Sequence, residues 1–250
     1  MRLDSLLVAR GLVENRTRAA ALVMAGKVYS GARKLEKPGQ KLAADTPLGV
    51  RAAAHPWVSR GGIKLAHALR HFALDAGGKT ALDVGASTGG FTDVLLANGA
   101  TRVYAVDVGY GQLADKLRRD ARVVVLERTN ARHIGPQQVP EPLGAIVCDA
   151  SFIGLRTILP AALALAAPGA FLVALIKPQF EVGRGRVGKG GIVRDPELHG
   201  EICDMMGAWL AAREGWQLLG ISESPITGAE GNKEFLLAGR RADIAHIHRP

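Results

Sequence analysis

The sequence predicts an α/β fold in which a doubly wound domain follows a small α+β domain. Short apolar runs at residues 81–84, 103–108, 123–126, 145–148 and 171–176 alternate with helix-like segments, an order typical of a parallel sheet covered on both faces. A glycine-rich turn follows the first of these runs, at a place where such folds bind ligands. Residues 1–50 show a different pattern, with two short helices and a concentration of basic charge.

Chain length and composition indicate a globular protein. The chain has 250 residues, 48% of them hydrophobic, which is enough for one large domain with a small companion. Its two cysteines, Cys148 and Cys203, do not make a disulfide framework, and the charged N-terminal segment "MRLDSLLVARG" lacks the apolar core of a signal peptide. We therefore expect a cytoplasmic protein.

One uncharged segment is long enough to suggest a membrane span. Residues 157–176, "TILPAALALAAPGAFLVALI", approach the ~20 residues that a span needs. Pro168 and Gly169 divide the segment into a helix-like half and a β-rich half. We expect a buried helix followed by a buried strand, and no membrane partner.

Positive charge is concentrated near the N-terminus. The formal net charge is +9, and residues 1–50 hold nine Lys and Arg against four Asp and Glu. A basic patch in a short segment predicts a polyanionic partner, most simply nucleic acid. A solubilising surface is the alternative that composition leaves open.

Residues 1–54 are predicted to form a separate small domain. Leucine spacing indicates one helix that ends at Gly11, and a second helix is capped by Asn15 and ends at Gly26. The segments "KVYSG" and "TPLGVR" are predicted strands, joined by a polar turn that contains a Pro-Gly pair.

This small domain resembles the S4-like RNA-binding fold. The resemblance rests on "RLDSLLVARGL", "NRTRAA" and "GKVYSG", and basic residues recur on both predicted helices and the turn. In that fold the second helix lies on RNA phosphates. The resemblance therefore implies RNA contacts through four basic side chains, Arg2, Arg16, Arg18 and Lys34.

Residues 55–58, "HPWV", are predicted to link this domain to a second one at residues 59–250. The second domain begins with an amphipathic helix at residues 59–72. Further helices are predicted at residues 91–100, 109–120 and 196–214, and two late strands at residues 216–222 and 234–240 are expected to form a hairpin-like edge.

The turn at residues 85–90, "GASTGG", is open to three interpretations: a dinucleotide loop, a loop that holds a methyl donor, or a turn with a nucleophilic serine. A dinucleotide fingerprint needs glycine where Ser87 stands, and the carboxylate of Asp83 would repel a pyrophosphate. A hydrolase elbow follows a strand reached late in the sheet, whereas this turn follows the first strand. His133 and His199 are available as bases, but their contexts do not support a triad.

A second acidic residue favours the methyl donor. Asp107 ends the next strand, 22 residues after Gly85, and an acidic residue at about that spacing binds ribose hydroxyls. Asp83 suits the ammonium of S-adenosylmethionine, which is therefore the predicted cofactor, with a plain strand cap at Asp107 as the alternative. The predicted cofactor-binding residues are Asp83, Gly85, Ser87, Gly89, Gly90, Phe91, Asp107, Asn130 and Asp149.

Two later strands supply polar residues at the same predicted edge. The segment "CDASFIGL" lacks the D/N-P-P-Y/F pattern of amino-group methyltransferases, and Cys148 lies in an apolar strand, which argues against a nucleophile for carbon methylation. The segment "LIKPQFE" places Lys177 after seven apolar residues, at the carboxyl edge where ligands bind. The seven histidines show no metal-ligand spacing, and His246 and His248 are expected in a solvated tail.

Four residues in separate motifs resemble a known catalytic set. Lys64 in "SRGGIKL", Asp149 in "CDASFI", Lys177 in "LIKPQF" and Glu234 in "GNKEFLL" are similar to the Lys-Asp-Lys-Glu tetrad of FtsJ-type ribose 2′-O-methyltransferases. With its S4-like domain, the chain resembles the TlyA family over nearly its whole length, through "VSRGGIKL", "DVGASTGGFTD", "DASFI", "KPQFE" and "VGKGGIVRD". The linker departs from that family's R-x-W-V, with His55 in place of the arginine.

The resemblance implies a Rossmann-like, S-adenosylmethionine-dependent methyltransferase domain that modifies a cytidine ribose of ribosomal RNA. Lys177 would be the base for the 2′-hydroxyl, which requires a lysine pKa lowered toward ~7–8. Asp149 would orient the amine and touch the cofactor, while Lys64 and Glu234 would position the ribose. The alternatives are a non-catalytic RNA-binding ribosome-assembly factor, which would be expected to lose the tetrad, and a hemolysin, which no amphipathic stretch supports.

The segment at residues 181–195, "EVGRGRVGKGGIVRD", combines glycines with basic side chains. It is predicted to be either a lid on RNA phosphates or a disordered loop. As a lid it would add Arg184 and Lys189 to the RNA-binding residues, together with Arg60 near the start of the domain. We expect ribosomal RNA or a ribosomal subunit as the partner, no bound metal, and a monomer.

Overall fold

The computed structural model describes residues 1–13, 15–24, 26–50, 55–228 and 231–243, and only the backbone of Arg184 and Lys189. The chain divides into two compact units, Met1–Pro56 and Trp57–Pro250. The histidines of the predicted tail, His246 and His248, lie outside the described residues.

The first unit has two helices and a three-stranded antiparallel sheet. Helices α1 and α2 span Leu3–Ala9 and Arg16–Met24, and strands β1, β2 and β3 span Val28–Ser30, Arg33–Lys34 and Gly49–Val50, in the sheet order β2-β1-β3. Asn15 caps α2 as predicted, because its Oδ1 accepts the backbone N–H of Arg18 at 2.8 Å. A small core holds the unit together, formed by Leu3, Leu7, Ala19, Val23, Val28 and Leu35.

The sequence does not predict strand β2, whose residues were expected in the polar connection between two strands. Ser30 pairs with Arg33, so the chain reverses through a two-residue turn at Gly31 and Ala32. Gly31 has a φ of +57°, which a tight hairpin turn requires. The hairpin is short and its second strand is exposed and polar, so no apolar alternation marks it in the sequence.

The second unit is built on a seven-stranded sheet with helices on both faces. Its strands are β4 (Thr80–Val84), β5 (Arg102–Val106), β6 (Val123–Leu126), β7 (Leu143–Cys148), β8 (Ala166–Ile176), β9 (Trp216–Glu223) and β10 (Phe235–Arg241). Its helices are α3 (Gly61–His71), α4 (Gly90–Ala97), α5 (Asp115–Arg118), α6 (Leu155–Ala164), α7 (Pro178–Glu181) and α8 (Pro196–Ala211). The sheet order is β6-β5-β4-β7-β8-β10-β9, with β4 to β8 parallel and β10 antiparallel to both of its neighbours. The predicted doubly wound α/β domain is confirmed.

Alternate residues of the central strands enter two separate cores. In β8, Leu172 and Ala174 pack with residues of α6 and α8, whereas Phe171 and Val173 pack with residues of α3 and α4. Because both faces are covered, the strand is an uninterrupted apolar run. Polar side chains can therefore reach a ligand only where such strands end.

The pairing of the strands gathers several strand ends at one edge. Val84, the last residue of β4, pairs with Val106 at the end of β5 on one side and with Cys148 at the end of β7 on the other. Ile176, the last residue of β8, pairs with Phe235, the first residue of β10. Because β10 is antiparallel, Glu234 just before it lies at the same edge as Lys177 just after β8.

Residues 157–176 contain a helix and then a strand, as predicted, but the boundary between them differs. Helix α6 ends at Ala164 and β8 begins at Ala166, so Pro168 and Gly169 lie inside the strand. The pairing of β8 with β7 shifts register there, so a bulge accommodates both residues without ending the strand. No helix in the described part of the chain is long and apolar enough to cross a membrane.

The segment at residues 109–120 is helical only in α5, so the prediction of a helix over its whole length is wrong. The N–H of Gly109 donates to Asp107 Oδ1 at 2.7 Å, and that of Gly111 donates to Glu127 Oε1 at 2.8 Å. Gly111 also has a φ of +71°, outside the helical region. The two carboxylates therefore fold the first half of the segment into turns.

Candidate active site

Two adjoining clefts open at the carboxyl edge of the sheet in the second unit. The first has a volume of about 480 Å³ and is lined by all four residues of the predicted tetrad; we call it the tetrad cleft. The second, of about 530 Å³, is lined by Asp107 and Asn130 and is called the Asp107 cleft. Gly85, Ser87 and Asp149 line both, so the clefts meet at the glycine turn.

The turn after β4 has a backbone that favours glycine at two positions. Gly85 has a φ of +81° and Gly89 a φ of +92°, a region that residues with a Cβ avoid. A Cβ on Gly85 would lie 2.9 Å from the Cα of Ala150, so a side chain there would force the ends of β4 and β7 apart. Gly89 is the N-cap of α4. The turn therefore lets two strand ends approach closely enough to share one ligand site.

Asp107 follows β5 and holds the glycine turn in place. Its Oδ2 accepts the N–H of Ser87 at 2.8 Å, and its Oδ1 accepts the N–H of Gly109 at 2.7 Å. An ionised carboxylate offers about four lone-pair positions, so acceptor capacity remains for ribose hydroxyls. The hydroxyl of Ser87 donates to Gln112 at 3.2 Å, so it contacts an amide and not a histidine base.

Asp83 is fully buried beneath the turn and does not line either cleft. Its Oδ2 accepts two hydrogen bonds from Thr92, from the backbone N–H at 2.9 Å and from Oγ1 at 2.7 Å. Its Oδ1 is buried and accepts no hydrogen bond from any residue that the structure describes. Burial, followed by the charges of Asp149 and Asp107, raises the pKa of Asp83 to about 7 against the opposing hydrogen bonds of Thr92.

The three carboxylates of Asp83, Asp107 and Asp149 fit a cationic ligand. The charges of Asp149 and Asp107 raise the pKa of Asp83, and a positive charge nearby would relieve that repulsion. Asp83 lines neither cleft, so it would act on a cationic ligand through its charge and not through direct contact. This donor set matches the cationic S-adenosylmethionine better than it matches a pyrophosphate. Among the ranges that the structure describes, no group of three or more His, Cys, Asp or Glu side chains is arranged to hold a metal ion.

Three other predicted cofactor residues have surroundings that are mainly structural. A Cβ on Gly90 would lie 2.2 Å from Ser59 Oγ, so this glycine allows α4 to approach the start of α3. Phe91 is buried in the core, although it borders the tetrad cleft. Asn130 lines the Asp107 cleft, and its Oδ1 accepts the N–H of Arg132 at 3.1 Å in a short 3₁₀ helix. Their contacts with a ligand remain predictions.

The tetrad consists of two lysine–carboxylate pairs that meet at Asp149. Lys177 Nζ lies 2.7 Å from Asp149 Oδ1 and donates to Ser151 Oγ at 2.9 Å and to the backbone oxygen of Asp149 at 3.1 Å. Lys64 Nζ lies 2.5 Å from Glu234 Oε2 and 4.0 Å from Asp149 Oδ2. Each carboxylate oxygen of Asp149 therefore faces a different lysine.

The tetrad is largely shielded from water. The side chains of Lys64 and Lys177 are each 8% exposed, and that of Glu234 is 3% exposed. Two ammonium groups and two carboxylates balance one another, which offsets part of the free-energy cost of burying charge. Asp149 is 22% exposed and is the member that borders both clefts.

The tetrad-cleft residues that sequence reasoning misses include Ser151, Phe152 and Gln179. Ser151 accepts a hydrogen bond from Lys177. Phe152 is 90% exposed at a φ of +66°, with its ring centroid 5.3 Å from that of Phe180. Gln179 lines the cleft with a buried Oε1. Their closeness in sequence to Asp149 and Lys177 is the one signal that could have identified them.

The predicted RNA-binding residues of the second unit lie at the tetrad cleft or in the segment after β8. Arg60 is exposed, lines the cleft and donates to the backbone oxygen of Thr227 at 2.7 Å. Arg184 and Lys189 begin two short 3₁₀ helices, and their side chains lie outside the description. The N–H of Val193 donates to Asn232 Oδ1 at 3.1 Å, which fixes the far end of this segment. The lid remains a prediction.

In the first unit, two of the predicted RNA-binding arginines share one carboxylate. Asp4 is buried and accepts from Arg2 Nε at 3.1 Å, from Arg2 Nη2 at 2.7 Å and from Arg16 Nη2 at 3.4 Å. The Arg2 guanidinium holds the pKa of Asp4 well below its usual range. Arg18 and Lys34 are exposed on the same unit. Contacts of these four side chains with RNA remain predictions.

Comparison with known proteins identifies the family. The family model for FtsJ-like methyltransferases matches residues 57–241, and the S4 domain model matches residues 1–46. YqxC of Bacillus subtilis, named as a candidate rRNA methyltransferase, is 51% identical over all of this chain and 86% of its own length.

Two further comparisons agree with this assignment. The 16S/23S rRNA (cytidine-2′-O)-methyltransferase TlyA of Mycobacterium tuberculosis is 48% identical over 94% of this chain and 88% of its own. A solved structure from Streptococcus thermophilus, described as a candidate hemolysin, is 42% identical with a TM-score of 0.75 and covers 97% of this chain and 89% of its own. The chain therefore belongs to the FtsJ-like methyltransferase family and, within it, to the TlyA proteins.

Proposed function

We propose that the protein transfers a methyl group from S-adenosylmethionine to the ribose 2′-oxygen of a cytidine in ribosomal RNA. The observation that carries this proposal is the Lys177 amine, held by Asp149 where the two clefts meet. A proton acceptor for a hydroxyl must be positioned within hydrogen-bond reach of it, and a lysine in the substrate cleft, held by a residue that also lines the cofactor cleft, meets that need.

The Asp107 cleft is the proposed cofactor site. S-adenosylmethionine supplies an electrophilic methyl group when it is bound there. The free lone pairs of Asp107 would accept the ribose hydroxyls, and the negative charge of the buried Asp83 would attract the ammonium group. Val108, 72% exposed at the same cleft, offers apolar surface to the nucleoside.

Lys177 is the proposed general base. A neutral amine keeps two N–H groups, and the Oδ1 and backbone oxygen of Asp149 can accept both of them. The lone pair of this neutral amine would then point toward Ser151 Oγ, which lies 2.9 Å from Nζ. A ribose 2′-hydroxyl that binds beside Ser151 would therefore lie where its proton can pass to the amine as the oxygen attacks.

Lys64 and Glu234 are proposed to position the ribose from the other side of Asp149. Their contact of 2.5 Å fixes both side chains, and Lys64 also faces Asp149 at 4.0 Å. Holding the 2′-oxygen in line with the methyl group contributes to rate because it removes the entropy cost of alignment from the reaction step.

Several observations favour RNA as the molecule that carries the hydroxyl. Phe152 exposes an aromatic face at the junction of the clefts, on which an unpaired base can stack. Arg60 is exposed beside it and suits a phosphate. TlyA of Mycobacterium tuberculosis is named for cytidines of 16S and 23S rRNA, and the proposal extends that substrate class, and with it a cytoplasmic location, to this chain.

The two alternative functions have less support at this site. An assembly factor without catalysis would gain nothing from a buried, charged tetrad, whose desolvation costs stability. The hemolysin alternative rests on the name of a related structure, and no contact in either cleft favours it.

Mapping ribose methylation tests the proposal. Ribosomal subunits that lack the modification are incubated with S-adenosylmethionine, with and without the protein, and the RNA is hydrolysed in alkali. A 2′-O-methyl group protects the adjoining linkage, so a resistant dinucleotide that begins with cytidine is expected only in the treated sample. Methylation of a base, or of no rRNA nucleotide in either subunit, would contradict the proposal.

A further inference from the structure

Gln179 lies beside the proposed base on the wall of the tetrad cleft. It is the second residue of α7, two positions after Lys177, and it lines the cleft together with Phe180 and Phe152. Pro178 at the first helical position fixes the backbone between Lys177 and Gln179. The amide is therefore held at a set place relative to the amine.

The amide oxygen of Gln179 is a buried hydrogen-bond acceptor. Its Oε1 is buried and accepts no hydrogen bond from any described residue. Leaving a buried polar atom unpaired costs free energy, so such an atom in a native structure calls for a partner. The unpaired Oδ1 of Asp83 lies beneath the glycine turn and outside both clefts, whereas Gln179 lines the tetrad cleft, where a substrate can reach it.

Neither lysine of the cleft supplies this donor. Lys177 donates to Asp149 and Ser151, and Lys64 is paired with Glu234. A substrate that binds in the cleft can supply it. This step rests on the proposed function, because it takes a cytidine as the substrate.

A cytidine within an RNA chain carries two kinds of hydrogen donor. The 2′-hydroxyl gives its proton to Lys177 in the proposed reaction, which leaves the exocyclic N4 amino group. Uridine has an acceptor oxygen, O4, at the same ring position. With the ribose fixed at Lys177, the edge of the target base would face Gln179 Oε1. This acceptor can bind the N4 amino group of cytosine but repels the O4 of uracil.

We propose that Gln179 determines the base specificity of the reaction, by accepting a hydrogen bond from the N4 amino group of the target cytidine. The amide oxygen meets a donor in cytosine and a second acceptor in uracil. A buried polar pair that is satisfied by one base and left unsatisfied by another gives roughly 10–100-fold discrimination.

The test compares two rRNA transcripts that differ only at the mapped nucleotide, which is cytidine in one and uridine in the other. The ratio of kcat/KM for methyl transfer to the two is measured for the wild type, for Gln179→Leu and for Gln179→Glu. A ratio is used because any effect of the base change on RNA structure cancels when variants are compared. Cofactor affinity and thermal unfolding are measured for each variant, to check that the fold is kept.

The wild type is expected to favour cytidine by roughly 10–100-fold. Gln179→Leu should bring the ratio close to one, because it keeps the size of the side chain but removes the acceptor. Gln179→Glu should keep the preference, because a carboxylate oxygen can still accept from N4. An unchanged ratio in Gln179→Leu, or no preference in the wild type, overturns the inference alone. Failure of the wild type to methylate either transcript overturns the proposed function together with it.

Discussion

Lys177 Nζ lies 2.7 Å from Asp149 Oδ1, and both residues stand immediately beyond the ends of neighbouring parallel strands. The fold produces this contact, because β7 and β8 are paired and their carboxyl ends meet at one edge. No loop has to fold into a special shape to bring the two groups together. A proton acceptor placed by strands is held more precisely than one placed by a loop.

Replacing Ser151 tests how much the contact between its hydroxyl and the Lys177 amine contributes to the rate of methyl transfer. Ser151→Ala removes the hydroxyl that helps to position the Lys177 amine, and a hydrogen bond between neutral groups contributes about 0.5–1.5 kcal/mol. We expect the single-turnover rate of methyl transfer to fall roughly 2–10-fold with cofactor affinity unchanged. Ser151→Thr, which keeps the hydroxyl, is the matched control and should retain most of the rate. A rate in Ser151→Ala equal to that of the wild type would remove Ser151 from the account.

Variants of the Lys64–Glu234 pair can separate its contribution to folding stability from its contribution to catalysis. Both side chains are nearly buried, so Glu234→Gln leaves the Lys64 charge without its closest partner, at a cost of about 3–5 kcal/mol in unfolding free energy. The double substitution Lys64→Met with Glu234→Leu replaces both charges by apolar groups and should recover most of that loss in urea unfolding. It should nevertheless remain inactive. Activity in the double variant would show that the pair has no part in the reaction.

Asp83 predicts a specific dependence of cofactor binding on pH. Its pKa of about 7 means that the carboxyl is protonated below that pH in the free protein, and a neutral carboxyl does not attract an ammonium through charge. Affinity for S-adenosylmethionine should therefore rise up to tenfold per pH unit between pH 5.5 and about 7 and then level off. Asp83→Asn should bind more weakly and show a flatter profile by calorimetry. A steep profile in Asp83→Asn would assign the dependence to another group.

The Asp83 carboxyl should also make folding stability depend on pH, but its contribution to stability falls as pH rises, whereas cofactor affinity rises. The unfolded chain releases this proton near pH 3.9 and the folded protein near pH 7, so the folded state binds the extra proton between these values. The contribution of Asp83 to stability therefore falls as pH rises through that window, by a total on the order of 4 kcal/mol. The difference in unfolding free energy between wild type and Asp83→Asn, measured from pH 4 to 7, isolates this effect.

Sequence reasoning identifies the site residues that follow or precede long apolar strands. Lys177 is evident because a charge directly follows a buried strand, and Asp107 is evident from its spacing after the glycine turn. It fails for Ser151 and Gln179, because a serine or a glutamine beside a motif looks like any surface residue until its neighbours in space are known. It predicts Asp83 as a cofactor residue but does not predict that the carboxyl is buried beneath the turn.

The errors in the fold have equally local causes. Pro168 suggests a break, but a register shift in the pairing of β8 absorbs it. The segment at residues 109–120 has helix-forming residues, but Asp107 and Glu127 bind the backbone of its first half. Both effects depend on residues far along the chain or on a neighbouring strand, and the local sequence carries no sign of them.

The basic side chains of the first unit are expected to make RNA binding depend on salt. Each phosphate that the protein neutralises contributes about 0.9 to the slope of log K against log salt on duplex and about 0.7 on single strands. Arg18→Ala should lower the magnitude of that slope by the contribution of about one phosphate contact, measured by filter binding of rRNA at several salt concentrations. Arg213→Ala, which removes one positive charge from the second unit, is the control and should leave the slope unchanged. Equal slopes for wild type and Arg18→Ala would show that Arg18 does not contact a phosphate.

The most direct measurement of the central claim is methyl transfer to rRNA by Lys177→Ala and Lys177→Arg, with the methylated nucleotide located by alkali-resistant dinucleotides. Removing a positioned base should lower the rate about 10²–10⁴-fold while cofactor and RNA binding persist. Arginine should not restore the rate, because its guanidinium stays protonated and cannot accept the 2′-hydroxyl proton. Loss of ribose methylation in both variants is the predicted result, and wild-type activity in Lys177→Ala, or label found on a base, would contradict the account.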